Sequence, residues 1–110
     1  MALDPSLAVE HGDDAVTFEL TVTNDGDDPV ECTFNSGQTA EFVVTSGEDV
    51  VWRWSEGQLF TQQIRTLTIA PGEALSAEGT WPDPAPGEYT VEASLVATEQ
   101  QPTETAPVSR

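Results

Sequence analysis

The sequence contains no lysine, and its only cations are Arg53, Arg65 and Arg110. Against these three stand 20 aspartates and glutamates, giving a net charge of −17. A surface of that sign excludes nucleic acid as a partner, because a phosphate backbone needs a basic face. It excludes anionic membrane surfaces for the same reason. One cysteine, Cys32, cannot close a disulfide within the chain, which fits a reducing compartment. No run approaches the ~20 apolar residues needed to cross a bilayer. Asp4 and Glu10 stand where a secretory leader would be basic, and no apolar run follows them. These absences predict a cytoplasmic protein with no membrane contact.

Helical periodicity is missing too. What the chain has instead is a period of two. Val16, Phe18, Leu20 and Val22 alternate with Thr17, Glu19, Thr21 and Thr23, the pattern of a half-buried strand. Asn24 to Pro29 reads as a turn, and Val30, Cys32 and Phe34 form the next inward set. Further strands are expected around Ala40, Phe42 and Val44, then with Val50, Trp52 and Trp54 sharing one face and Val51, Arg53 and Ser55 the other, then over Ile64 to Ala70. Leu75 to Trp81 and Tyr89 to Ala97 follow. Ser46-Gly47-Glu48, Glu56-Gly57, Pro71-Gly72-Glu73 and Pro82 to Gly87 punctuate them. Leu3 to Val9 supplies an edge strand. The Pro-, Thr- and Gln-rich stretch from Glu99 to Arg110 reads as a flexible tail with at most a short strand at Thr105 to Val108.

At 110 residues this is one domain, with its core between about residues 9 and 98. Seven to eight short strands with turn signals every ~8 to 12 residues predict an all-β fold. The expected form is an immunoglobulin-like antiparallel β-sandwich, with a small closed barrel as the alternative. Phe18, Phe42, Trp52, Trp54, Trp81 and Tyr89 are the expected large core side chains. The acids are interleaved with these residues rather than massed in blocks, so they belong to a folded surface. The composition is that of a protein adapted to molar salt, where charges are screened within ~3 Å.

The sequence offers little chemistry. His11, the only histidine, falls in the turn His11-Gly12-Asp13-Asp14 with no nucleophile elbow anywhere. Cys32 alternates onto an inward face and reads as a small buried hydrophobe. Asp25, Asp27 and Asp28 suggest a calcium loop, but the twelfth position of that register is Ser36 rather than glutamate. The chain is therefore not read as an enzyme, and no metal or cofactor is expected. One segment stands out: Trp52-Arg53-Trp54-Ser55 concentrates two of three tryptophans and one of three arginines. Arg53 points away from the tryptophans and, if their strands are adjacent, lies among outward acids such as Glu41 or Glu92. Arg53 and the loop after it form a candidate recognition site, since Trp and Arg anchor interfaces.

The string Gly37-Gln38, Phe42, Val51-Trp52-Arg53-Trp54-Ser55, Phe60, Pro71-Gly72-Glu73, Trp81 and Gly87-Glu88-Tyr89 carries more than periodicity. It resembles the intracellular proteinase inhibitor family known as BsuPI, from about Phe18 to Ala97. The sequence departs from that pattern at Ala40-Glu41 and in its acidity. The resemblance implies a cytoplasmic β-sandwich that inhibits an intracellular subtilisin-type serine protease. Two rigid loops could enter such a cleft: Ser55 to Phe60, with Arg53, Ser55, Gln58, Leu59 and Phe60, and Pro82 to Gly87, with Pro84 and Pro86. The alternative is a non-inhibitory scaffold or interaction domain that binds another protein, because fold alone does not separate the two.

Overall fold

The computed structural model describes residues 3–56 and 58–110. Nine strands follow one another: β1 (Leu3–His11), β2 (Ala15–Asn24), β3 (Val30–Phe34), β4 (Ala40–Ser46), β5 (Asp49–Arg53), β6 (Arg65–Ile69), β7 (Ala74–Pro82), β8 (Glu88–Leu95) and β9 (Thr103–Ser109). They form three antiparallel sheets, ordered β1-β2-β7, β3-β6 and β5-β4-β8-β9. The fold is all-β. Each sheet ends in strands with a free edge, so no closed barrel forms among the described residues.

The period-two segments supply the core directly. Val16, Phe18, Leu20 and Val22 of β2 are buried, and so are Phe42 and Val44 of β4 and Val91, Ala93 and Leu95 of β8. Contact between the two larger sheets is aromatic. Phe18 stacks on Phe42 at 6.0 Å between centroids, and Trp52 on Trp81 at 6.1 Å. Phe18 also meets Trp52 at 6.1 Å, Phe42 meets Trp54 edge-on at 6.2 Å, and Trp81 meets Tyr89 edge-on at 4.9 Å. With Phe60 against Trp54 at 5.6 Å, seven rings form one unbroken row. Phe18, Phe42 and Trp81 are buried in it, while Trp52, Trp54 and Tyr89 are half-buried against it.

The corner between β2 and β3 is held by a polar side chain. Asn24 is fully buried, and its amide donates to the carbonyls of Asp28 at 2.8 Å and Ile69 at 2.7 Å. Its Oδ1 accepts from the Gly26 amide at 2.9 Å. The run Asp25 to Asp28 is therefore a turn folded over Asn24. Cys32 of β3, opposite Leu67 of β6, is also fully buried. Burial, and then the nearby Glu99 carboxylate, push its thiol pKa up, so it holds its proton. Glu99 itself accepts from the Thr33 amide at 2.8 Å and hydroxyl at 2.6 Å, and these bonds lower its pKa.

Three expectations change in the structure. The stretch read as a tail, with a short strand at most over Thr105 to Val108, is ordered as the seven-residue strand β9, which pairs along β8 from Glu88↔Ser109 to Ser94↔Thr103. Its Ala106 and Val108 turn inward at alternate positions, and Val108 is buried. With β1 that makes nine strands instead of seven or eight. Val50 does not share a face with Trp52. A bulge pairs Val44 with Trp52 and Thr45 with Val50, which leaves Val51 as the extra residue and Val50 half exposed. Ile64 precedes β6 rather than beginning it, and is 67% exposed. Gly57, half of the expected Glu56-Gly57 break, lies outside the described residues.

Gly79 on β7 is buried beneath the aromatic row. A Cβ there would lie 2.8 Å from Phe42 Cδ2 and 2.9 Å from Trp54 Cδ1. Both rings are wedged by neighbours, so they cannot give way freely. Gly79→Ala is expected to destabilise the protein by about 1 to 3 kcal/mol through overpacking. Urea unfolding of the two proteins side by side measures it. Equal midpoints would mean that the rings move aside.

Candidate functional site

The segment after β5 is built from the edge of the four-stranded sheet. Pairing with β4 continues past Arg53, since the Trp54 amide donates to the Phe42 carbonyl at 2.9 Å. Glu41 then takes over with its side chain. Its Oε1 accepts from the amides of Phe42 at 3.1 Å and Ser55 at 3.0 Å. A turn follows, in which Glu56 donates to the Arg53 carbonyl at 3.1 Å and Gln58 to that of Ser55 at 3.2 Å. The far side is fixed by Phe60 packing on Trp54 and by the Gly37 amide donating to the Thr61 carbonyl at 2.9 Å.

Between these two fixed points lies Leu59, which is 99% exposed. Single exposed leucines are common on protein surfaces. Here the exposed leucine projects from a segment held on both flanks, with exposed Gln58 before it and exposed Thr61, Gln62, Gln63 and Ile64 after it. The segment from Gln58 to Ile64 forms no strand or helix. It presents apolar side chains outward and holds its base with an aromatic stack. Ile64 was not singled out by its sequence pattern, because its alternation with Thr66 and Thr68 placed it on a strand.

The second loop is fixed differently. Asp83 adopts a left-handed conformation with φ of 45°, and its amide donates to the Asp14 carbonyl at 2.8 Å. The Tyr89 hydroxyl donates to the Ala85 carbonyl at 2.9 Å. Gly87 and Arg110 exchange backbone bonds of 3.0 and 2.9 Å. The Arg110 guanidinium donates to the carbonyls of Gly12 at 2.7 Å and Asp13 at 3.2 Å. Pro86 is exposed and Pro84 half-buried. Nothing large and apolar projects from this loop.

The seven candidate contact residues thus fall into two groups. Arg53, Ser55, Gln58, Leu59 and Phe60 share one segment, at the end of β4 marked by Glu41. Pro84 and Pro86 lie toward its other end, near where Thr45 pairs with Thr90. The aromatic row runs from Phe60 at one loop to Tyr89 at the other, and the structure does not bring the loops together. Arg53 pairs with neither Glu41 nor Glu92. Val43 sits between Arg53 and Glu92 in the sheet, and Glu41 is occupied with backbone amides. Its ion pair is with Glu56 at 3.8 Å, between exposed side chains, and contributes little stability.

No group of three metal-ligating side chains occurs among the described residues. His11 ends β1 and is exposed. No helix among the described residues is long and apolar enough to cross a membrane.

A family model described as BsuPI, intracellular proteinase inhibitor, matches residues 3–100. The chain belongs to this family. Among curated proteins none matches the chain. Among solved structures, the sporulation control protein Spo0M from Bacillus subtilis superposes with a TM-score of 0.60 at 13% identity. That similarity covers 99% of this chain and 49% of Spo0M, so the chain spans about half the length of that protein. At this identity the likeness speaks for the fold alone. The β-glucosidase 3B of Thermotoga neapolitana in complex with glucose gives a TM-score of 0.45 at 12% identity, over 96% of this chain and 16% of the enzyme. The BsuPI match extends beyond the span of the sequence motifs at both ends, taking in β1 and the segment after β8.

Proposed function

We propose that this BsuPI-family protein inhibits an intracellular subtilisin-type serine protease by presenting Gln58 and Leu59 to the enzyme's cleft. The observation that carries the reading is Leu59, 99% exposed on a segment fixed at both flanks. A protease cleft receives an extended backbone along a strand edge and takes projecting side chains into pockets. A segment already held near its bound shape loses less entropy on docking. Burying one leucine side chain in an apolar pocket contributes about 1.5 to 3 kcal/mol, roughly tenfold to a hundredfold in affinity. The fixed flanks, Phe60 on Trp54 and the backbone bonds of Gln58 and Thr61, hold Leu59 out from the sheet. The acidic surface of the inhibitor suits an enzyme whose cleft has a basic rim, and molar salt mutes that attraction.

The test is titration of the purified protein into an intracellular subtilisin-like protease at about 2 M potassium chloride, where charges are screened, following peptide hydrolysis. Competitive inhibition is expected. Leu59→Gly should weaken it at least about tenfold, in line with the lost apolar burial. Replacing Pro84 and Pro86 with glycine should leave it unchanged. Loss of inhibition in the proline variant with Leu59→Gly still active would transfer the contact to the other loop. A folded protein that inhibits no cognate protease would leave the scaffold or interaction domain as the function.

A further inference from the structure

Sheet edges are normally blocked against further strand pairing, and most edges of this molecule are. Pro5 interrupts β1, and Pro107 interrupts β9. The five-residue strand β5 carries the bulge at Val51. The outer edge of β3 is occupied at Thr33, whose carbonyl accepts from the Thr98 amide at 2.9 Å and whose own amide is bonded to Glu99. The nine-residue strand β7 is different. It pairs with β2 without a bulge from Ala15↔Pro82 to Thr23↔Ala74, its proline is its last residue, and it ends the order of its sheet.

Which backbone groups face the open side follows from the register. The Asn24 amide donates to the Glu73 carbonyl, and the Asp83 amide to the Asp14 carbonyl, so even-numbered residues of β2 direct their groups toward β7. Their partners Leu75, Ala77, Gly79 and Trp81 bond inward. Antiparallel alternation then turns the amides and carbonyls of Ala74, Ser76, Glu78 and Thr80 to the open side.

That side borders a groove of about 350 Å³, walled by Phe42, Trp54, Leu67 and Leu75 and flanked by Arg65 and Glu78. Arg65 is the feature that gives it a sign. In a chain of net charge −17, this guanidinium meets no carboxylate within ion-pair distance among the described residues. It lies 5.0 Å from the Phe34 ring centroid and donates from Nε to the Ser36 carbonyl at 3.1 Å. From Nη2 it donates to the Gln38 carbonyl at 3.3 Å and to Thr39 Oγ1 at 3.1 Å. Among the described residues Nη1 has no hydrogen-bond partner.

We propose that the open edge of β7 accepts an extended segment of a partner protein, with an apolar side chain in the groove and a carboxylate on Arg65. Backbone bonds to Ser76 and Glu78 supply the general attraction, and the groove and Arg65 select the sequence. A second copy of this chain is a poor occupant, since two β7 edges brought together would set Glu78 of one strand against that of the other, a like-charge approach at short range. The site uses none of Gln58, Leu59 or Ile64, so it stands whether or not the Leu59 loop inhibits a protease.

Two capped synthetic peptides of alternating threonine and valine, one with aspartate at both ends and one with lysine, test this by amide NMR shifts. At about 2 M potassium chloride, long-range attraction of the lysine peptide to the acidic surface is screened. The aspartate peptide is expected to shift the amides of Ser76, Glu78 and Thr80 and to bind at least about tenfold more tightly, the scale of a charge-assisted hydrogen bond. Ser76→Pro removes an outward amide without breaking a bond to β2, and should abolish those shifts while Leu59→Gly leaves them intact. Absence of shifts on β7, equal binding of both peptides, or unchanged binding by a folded Ser76→Pro would overturn the proposal. Concentration-dependent dimerisation lost in Ser76→Pro would overturn it in favour of a second copy.

Discussion

Phe42→Ala is expected to lower unfolding stability by about 3 to 5 kcal/mol, a large part of what a small domain has. Phe42 is fully buried, stacks on Phe18, meets Trp54 edge-on and covers the bare backbone of Gly79. Removing its ring leaves a cavity between the sheets that its neighbours cannot fill, because Trp54 is itself held by Phe60. Trp52→Ala should cost less, since Trp52 is half-buried and stands at an edge strand. Urea unfolding at constant high salt gives both values. A Phe42→Ala protein as stable as the parent would show that the row of rings is not the junction between the sheets.

A second large effect is expected from salt. Twenty carboxylates repel one another across a surface with three cations, and at about 0.01 M salt that repulsion reaches ~30 Å. The register adds a specific contribution. Glu19 of β2 stands opposite Glu78 of β7, and both are exposed. They form a pair without backbone bonds between them, the arrangement in which side chains lie closest, and like charges there destabilise a sheet. Relief of even about 2 kcal/mol moves the thermal midpoint of a domain this size by roughly 10 °C. The midpoint should therefore rise steeply between about 0.05 and 2 M potassium chloride, and Glu19→Gln should reduce that rise. A flat midpoint over this range would show that the acids are spaced widely enough to ignore each other.

Much of this fold can be read along the chain because alternation is a local property. Val16 to Val22, Cys32 with Phe34, and Tyr89 to Leu95 declare their faces within a few residues, and the structure buries Val16, Phe18, Leu20, Val22, Cys32, Phe34, Val91, Ala93 and Leu95. Val50 misleads because a bulge is set by the partner strand: Val51 becomes surplus only when β5 is laid against Thr45 and Val44. The β9 segment misleads because Pro102 and Pro107 are turn formers in isolation, yet an edge strand tolerates proline on its open side. The separation of Arg53 from Glu92 was equally hidden, being a matter of strand order.

The site is less legible than the fold for the same reason. Composition singled out Trp52 to Ser55 and the two rigid loops. Exposure of Leu59, however, depends on Phe60 turning back onto Trp54, which is a contact between side chains rather than a motif. The open edge of β7 has no signature at all. It is defined by which strand the sheet order places last, and by the prolines and the bulge that block other edges.

Trp52 belongs to β5 and Trp81 to β7, so their stacked indoles, inclined by 25°, sit on different sheets. Two such chromophores 6.1 Å apart couple their excited states, and a couplet of one positive and one negative band in the circular dichroism is the expected mark of that contact. The couplet reports the docking of one sheet on the other and is blind to strand content. A form with its strands intact but its sheets slid apart would keep the peptide signal and lose the couplet. The protein thus carries its own optical gauge of whether the sandwich is closed.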